Sequence, residues 1–163
     1  MDAFLSRLQQ VSSEDPHEDA LRIALELGIR AVSADEGSML ALDEAAHDLV
    51  FLMTAGDMLS ELTLRGQRAP IGHGLTGLAV QSRRTQTGAP VYQSVQQPEH
   101  HKLESPRYLV AAPMLVGMRL AGVLTAATYD LERQFSAEQI RLFERIATLA
   151  GIVLLERQQT DRF

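Results

Sequence analysis

The chain has 163 residues, 45% hydrophobic and 22% charged, which is the composition of one globular α/β domain with a real core and excludes an intrinsically disordered chain. Its formal net charge is −6, and Arg83 and Arg84 form the only adjacent basic pair, so it lacks the electrostatic footprint of a nucleic-acid binder. The absence of cysteine removes disulfides, thiolate metal sites, thiol nucleophiles and thioether-linked chromophores together. No apolar run reaches the length of a bilayer span and the first residues form no basic apolar leader, so the expected setting is cytoplasmic, away from membranes.

Residues 1–16 form a lead-in, with Phe4, Leu5, Leu8 and Val11 at helical spacing until Asp15-Pro16 interrupts them. A domain is expected over residues 17–158, followed by a short tail at 159–163. Its first helix is predicted over residues 17–32, with Leu21, Ala24, Gly28, Ala31 and Val32 on one face. Leu25, Ile23 and Leu27 widen that face, which predicts burial on more than one side.

The period then changes. Residues 38–42 and 49–55 are short apolar runs separated by Asp43-Glu44-Ala45-Ala46-His47-Asp48, the pattern of a hairpin. Residues 58–65 read as a helical turn or a ragged edge, and residues 66–71 as a short strand. Pro70-Ile71-Gly72-His73-Gly74-Leu75-Thr76-Gly77-Leu78-Ala79-Val80 is a tight glycine turn feeding a helix that ends at about residues 81–84. Residues 86–92, interrupted by Gly88 and Pro90, suit a short edge strand. Residues 93–106 are the most polar and least periodic stretch and read as a mobile loop. Residues 107–116 and 120–129 are two central strands joined by Gly117-Met118-Arg119, with a bulge or kink expected at Pro113.

Ser136, followed by Glu138 and Gln139, carries the capping chemistry for a last helix. Ile140, Phe143, Ile146, Ala147, Ala150, Val153 and Leu154 form its inward stripe. Leu142, Leu149, Ile152 and Leu155 form a second one, which fits either a helix covered on both sides or a seam with a second copy of the chain.

By its letters Gly72-x-Gly74-x-x-Gly77 matches a dinucleotide loop. That chemistry needs a long buried parallel strand just before the turn and a ribose-binding acid about 20 residues beyond it. Here only Arg68-Ala69-Pro70-Ile71 precedes the turn, and Glu99 falls in a polar loop, so a Rossmann site is rejected. The glycines then either permit close contact between helix and sheet or present amides to an anionic or carbonyl ligand near Thr76.

Glu36-Gly37-Ser38-Met39-Leu40-Ala41-Leu42-Asp43, the Pro70 to Val80 stretch, Ala112-Pro113-Met114, Leu120-Ala121-Gly122-Val123-Leu124 and Phe135-Ser136-x-Glu138 occur in an order and spacing that resemble the GAF domain family over residues 20–155. The resemblance implies an α+β fold: a central antiparallel sheet of five to six strands, the first and last helices on one face, and a ligand pocket under short helices and loops on the other. It also implies a non-catalytic sensory or regulatory role, binding a small molecule and passing the change through the terminal helices to a partner or output domain. In that setting the pocket residues are Ser38, Leu40, Phe51, Met53, Leu75, Thr76, His100, His101, Tyr108, Thr125 and Ala127. Ser38 and Thr125 stand out because a hydroxyl on an inner strand face needs a partner.

The cyclic-nucleotide branch of the family carries an Asn-Lys-Phe-Asp-Glu signature, echoed here only by Phe135 and an acidic position, which argues against cyclic GMP or AMP. Bilin attachment to a cysteine of this chain is excluded. His100 and His101, beside Glu99 and Glu104, are the residues a haem or metal gas sensor would use, but adjacent histidines point apart and a solvated loop pair explains them; no metal site and no cofactor are expected. No Ser-His-Asp set or carboxylate pair marks an enzyme. The rival reading is a domain that binds nothing and serves as a homodimerisation scaffold through its first and last helices.

Overall fold

Asp15 accepts the amide of His17 at 2.8 Å and, with Pro16 in the first turn, starts helix α1 (Pro16–Ala31). In this computed structural model, which describes residues 15–56, 64–71, 74–89, 108–130, 132 and 134–160, α1 leads into the hairpin of β1 (Glu36–Asp43) and β2 (Asp48–Ala55). β3 (Arg68–Pro70), α2 (Gly74–Ser82) and β4 (Gln86–Gly88) follow, then the hairpin of β5 (Tyr108–Val116) and β6 (Arg119–Thr128), and last α3 (Ala137–Thr160). The lead-in and the stretches at 57–63 and 90–107 lie outside the described residues, and with them the expectations placed there.

The six strands form one antiparallel sheet in the order β3-β2-β1-β6-β5-β4. Strand alternation gives each face its own core. One face carries Met39, Ala41, Val50, Val110, Ala112, Met114, Leu124 and Ala126, and meets Leu21 and Leu25 of α1 and Phe143, Ala147, Ala150 and Leu154 of α3. The other carries Leu40, Leu49, Phe51, Ala69, Ala111 and Val123 beneath Ala79 of α2.

The two long helices run antiparallel, since Gly28 lies against Phe143 at one end while His17 lies beside Glu156 at the other. A Cβ at Gly28 would stand 3.1 Å from Phe143 Cε1, so the missing side chain sets how closely the helices approach. Ser136 caps α3 as the sequence predicts: its hydroxyl accepts the Gln139 amide at 3.1 Å and Gln139 Oε1 accepts the Ser136 amide at 2.9 Å.

Two register slips shape the sheet. Pairing shifts between Pro113 and Leu115, where the proline cannot donate to the ladder. It also shifts in the first hairpin, where Met39 opposes Met53 but Leu40 opposes Phe51, so that Leu52 is an extra residue. The expectation that Phe51 and Met53 share a face is therefore corrected: the bulge turns Met53 into the helix-side core, while Phe51 stays on the opposite face.

The breadth of the first helix is also corrected. Ile23 and Leu27 are 57% and 47% exposed, so the described residues cover only one side of α1. α3 behaves alike, with Leu142, Leu149 and Ile152 at 48%, 60% and 44% exposure. Leu155, placed with them by spacing, is half-buried against the helix-side core.

Candidate functional site

Ser38 of β1 and Thr125 of β6 oppose each other on the face away from α1 and α3. Their hydroxyls lie 2.6 Å apart, and Thr125 Oγ1 also accepts the Ser38 amide at 3.1 Å. The pair thus satisfies itself in a site where Thr125 is buried and Ser38 half-buried, and an unpartnered hydroxyl there would be costly. Whichever hydroxyl donates, the proton of the other is left over, so a ligand acceptor can join the pair without breaking it.

Strand pairing carries the level of the hydroxyl pair through Ala111 to Gln86, beside Ser82 at the C-terminal end of α2, and the level two residues along to its first turn. Ala127 opposes Leu109, Leu109 opposes Gly88, and Leu75 in the first turn of α2 lies 3.8 Å from where a Gly88 Cβ would stand. The helix opens at Gly74, whose φ is 66°, and runs back along β4 until the Ser82 hydroxyl meets the Gln86 side chain at 3.0 Å. Its free amides and positive dipole end therefore lie at the level of Ala127, two residues along β6 from Thr125. Leu40, Phe51 and Ala127 are buried on that face, and Leu75 and Thr76 are half-buried in the first turn of α2.

Tyr108 is not part of this arrangement. It begins β5 on the helix side, its ring tilted against Phe135 with centroids 5.5 Å apart. The alternation of β5 decides this, since Leu109 takes the opposite face. His100, His101 and His73 lie outside the described residues. Among the described residues no three histidine, aspartate or glutamate side chains come together as a metal site. The preceding strand β3 is a three-residue antiparallel edge strand, which removes the geometric basis for a dinucleotide loop.

A second concavity lies at the other sheet edge. It is an open groove of about 510 Å³ where the outer edge of β5 runs on past the short β4. Pro113, Leu115 and Ile140 provide apolar surface, Arg83, Arg84, Thr85 and Thr87 one side, and Glu144 and Thr148 of α3 the other. Thr85 Oγ1 donates to Glu144 Oε2 at 2.5 Å, a contact spanning 59 positions of sequence. Sequence reasoning missed this groove. Its one local signal was the adjacent arginine pair.

The sequence model of the GAF domain family matches residues 14–155. This chain belongs to the GAF domain family. Solved GAF domains share the fold at low identity. The GAF domain of a phosphoenolpyruvate-protein phosphotransferase from Coxiella burnetii is 20% identical with a TM-score of 0.75, the match covering 98% of this chain and 95% of that one. The GAF-B domain of DevS from Mycobacterium smegmatis is 19% identical with a TM-score of 0.67, covering 90% and 98%. The GAF domain of a two-component sensor histidine kinase from Bacillus halodurans is 15% identical with a TM-score of 0.69, covering 88% and 96%. No curated protein sequence matches the chain. GAF domains are generally sensory or regulatory and typically non-catalytic, and the arrangement of the described residues, three helices and a six-stranded antiparallel sheet, is theirs. Among the described residues no helix of this GAF domain is long and apolar enough to cross a membrane.

Proposed function

We propose that this GAF domain is a non-catalytic sensor that binds a small molecule on the sheet face carrying Ser38 and Thr125 and passes the change to α1 and α3. The observation that carries the reading is the hydroxyl pair of buried Thr125 and half-buried Ser38, two residues along the strands from the level of the amide end of α2. A hydrogen-bonding ligand with a carbonyl or anionic group fits that combination, with its apolar part against the half-buried Leu75.

The route to the helices is short. Gly37, next to Ser38, is so close to α1 that a Cβ there would stand 2.8 Å from Ile29 Cγ1. Asp35, between α1 and β1, donates its amide to the Ala127 carbonyl at 2.9 Å, and its carboxylate accepts from the Thr128 hydroxyl and the Tyr129 amide. A ligand that shifts β1 against β6 therefore bears directly on the end of α1.

The reading predicts that a thermal-shift screen of purines, amino acids and short organic acids finds a compound that raises the melting temperature of the wild-type domain but not of a Ser38→Val, Thr125→Val double variant. A screen in which every hit stabilises the double variant equally places the ligand elsewhere and overturns the assignment.

A specific observation also favours self-association. Ile23 and Leu27 on α1 and Leu142, Leu149 and Ile152 on α3 are exposed on the helix layer, and a second copy of the chain covers them in a homodimer through these helices. The scaffold and sensor readings differ at the hydroxyl face, not here: both predict the dimer, and the sensor also predicts a ligand.

A further inference from the structure

The groove at the β4 edge is distinct from the hydroxyl face, and neither the fold nor the proposed sensor site uses it. Arg83 and Arg84, the only adjacent basic residues of a chain with net charge −6, both line it. They stand just past the end of α2, where the chain turns with Arg83 at φ 57°. That left-handed position is normally filled by glycine or asparagine, because a Cβ is strained there. An arginine holds it here and its Nη1 donates to the Met118 carbonyl at 2.9 Å, which ties the α2–β4 connection to the β5–β6 turn. Arg84 is thereby presented to the groove from a fixed backbone, and its guanidinium has no hydrogen-bond or ion-pair partner among the described residues.

The remaining lining is selective. Glu144 is the one carboxylate of the lining, and its Oε2 accepts the Thr85 hydroxyl. Two arginines against one carboxylate leave the groove positive in an acidic protein, which concentrates anions locally. Thr87 and Thr148 add hydroxyls, and Pro113, Leu115 and Ile140 supply an apolar surface that a bare inorganic ion would leave unused. A volume of about 510 Å³ falls in the range of small-molecule sites.

We infer that this groove is a second ligand site, for a small molecule that joins an oxyanion, carboxylate or phosphate, to an apolar body. The oxyanion pairs with the fork of Arg84 and the apolar body lies on Pro113, Leu115 and Ile140. Because Thr85 holds α3 through Glu144, an oxyanion that draws Thr85 or Arg84 toward itself acts on the last helix from the side opposite α1.

The test is an amide NMR titration of the whole chain with three probes: hexanoate, hexyl phosphate and inorganic phosphate. Saturable shifts confined to residues 83–87, 113–116 and 140–148 are expected with hexanoate or hexyl phosphate, at least about tenfold tighter than with inorganic phosphate. Whichever of the two binds more tightly identifies the head group. Arg84→Gln is expected to weaken that binding at least about tenfold, and Arg84→Lys to restore part of it. Arg84 is exposed, so its variants keep a wild-type spectrum elsewhere. The inference is overturned if neither amphipathic probe gives saturable shifts there, if inorganic phosphate binds as tightly as they do, or if Arg84→Gln binds like wild type. The Ser38→Val, Thr125→Val variant retains groove binding, so failure at one site is read separately from failure at the other.

Discussion

Ser38 and Thr125 are joined through their hydroxyls and through the Ser38 amide. Thr125→Val removes the partner of both the Ser38 hydroxyl and the Ser38 amide, and is expected to cost about 1–3 kcal/mol in urea unfolding. Ser38→Ala leaves only one group unpaired and is expected to cost about 1 kcal/mol. The double variant Ser38→Ala, Thr125→Val is expected to cost less than the sum, because the two residues share one interaction. Strict additivity would show that the hydroxyls do not interact in solution. Gly122 is a sharper case: a Cβ there would stand 1.9 Å from the Leu40 carbonyl oxygen, a backbone atom that cannot step aside. Gly122→Ala is expected to destabilise by roughly 3 kcal/mol or more, read as a lower urea midpoint with an unchanged slope.

Helix α3 joins three environments. Its first turn is closed by the Ser136 and Gln139 capping box, and Ser136→Ala is expected to cost about 1 kcal/mol in unfolding experiments. Its inner stripe was legible in sequence because Phe143, Ala147, Ala150 and Leu154 recur at helical spacing and all are buried. Its outer stripe was legible as apolar, but spacing alone does not separate a covered helix from an uncovered one, and Leu155 fell on the buried side. Leu149→Glu with Ile152→Glu places two carboxylates on the exposed stripe and is expected to shift sedimentation from dimer to monomer with the fold intact. A profile unchanged by the double substitution would remove the helix seam.

The strands show a different limit. Pro113 announced its irregularity, since a proline interrupts any ladder it enters. The extra Leu52 carried no such mark. All of Leu49, Val50, Phe51, Leu52 and Met53 are apolar, so the period that reveals a bulge is invisible, and Met53 changed faces unannounced. Tyr108 failed for a related reason: at the start of a strand, one residue of offset decides the face, and only the Phe135 ring fixes it. The groove at the β4 edge depends on Thr85 meeting Glu144 across 59 positions, which local pattern does not encode.

Taken whole, the domain is a sheet with a helical layer on one side and a smaller hydroxyl-bearing, helix-covered face on the other, joined through Asp35 and Gly37 at the end of α1. On the sensor reading proposed above, that arrangement is the short route from a ligand on one face to the helices on the other. Native mass spectrometry of the freshly purified chain tests this most directly, because it weighs the assembly and anything held within it together. The sensor reading predicts a dimer carrying one small-molecule adduct per chain, lost in the Ser38→Val, Thr125→Val variant while the dimer remains. A bare dimer in every preparation, with no adduct regained on incubation with cell metabolites, would contradict it and leave the domain a scaffold.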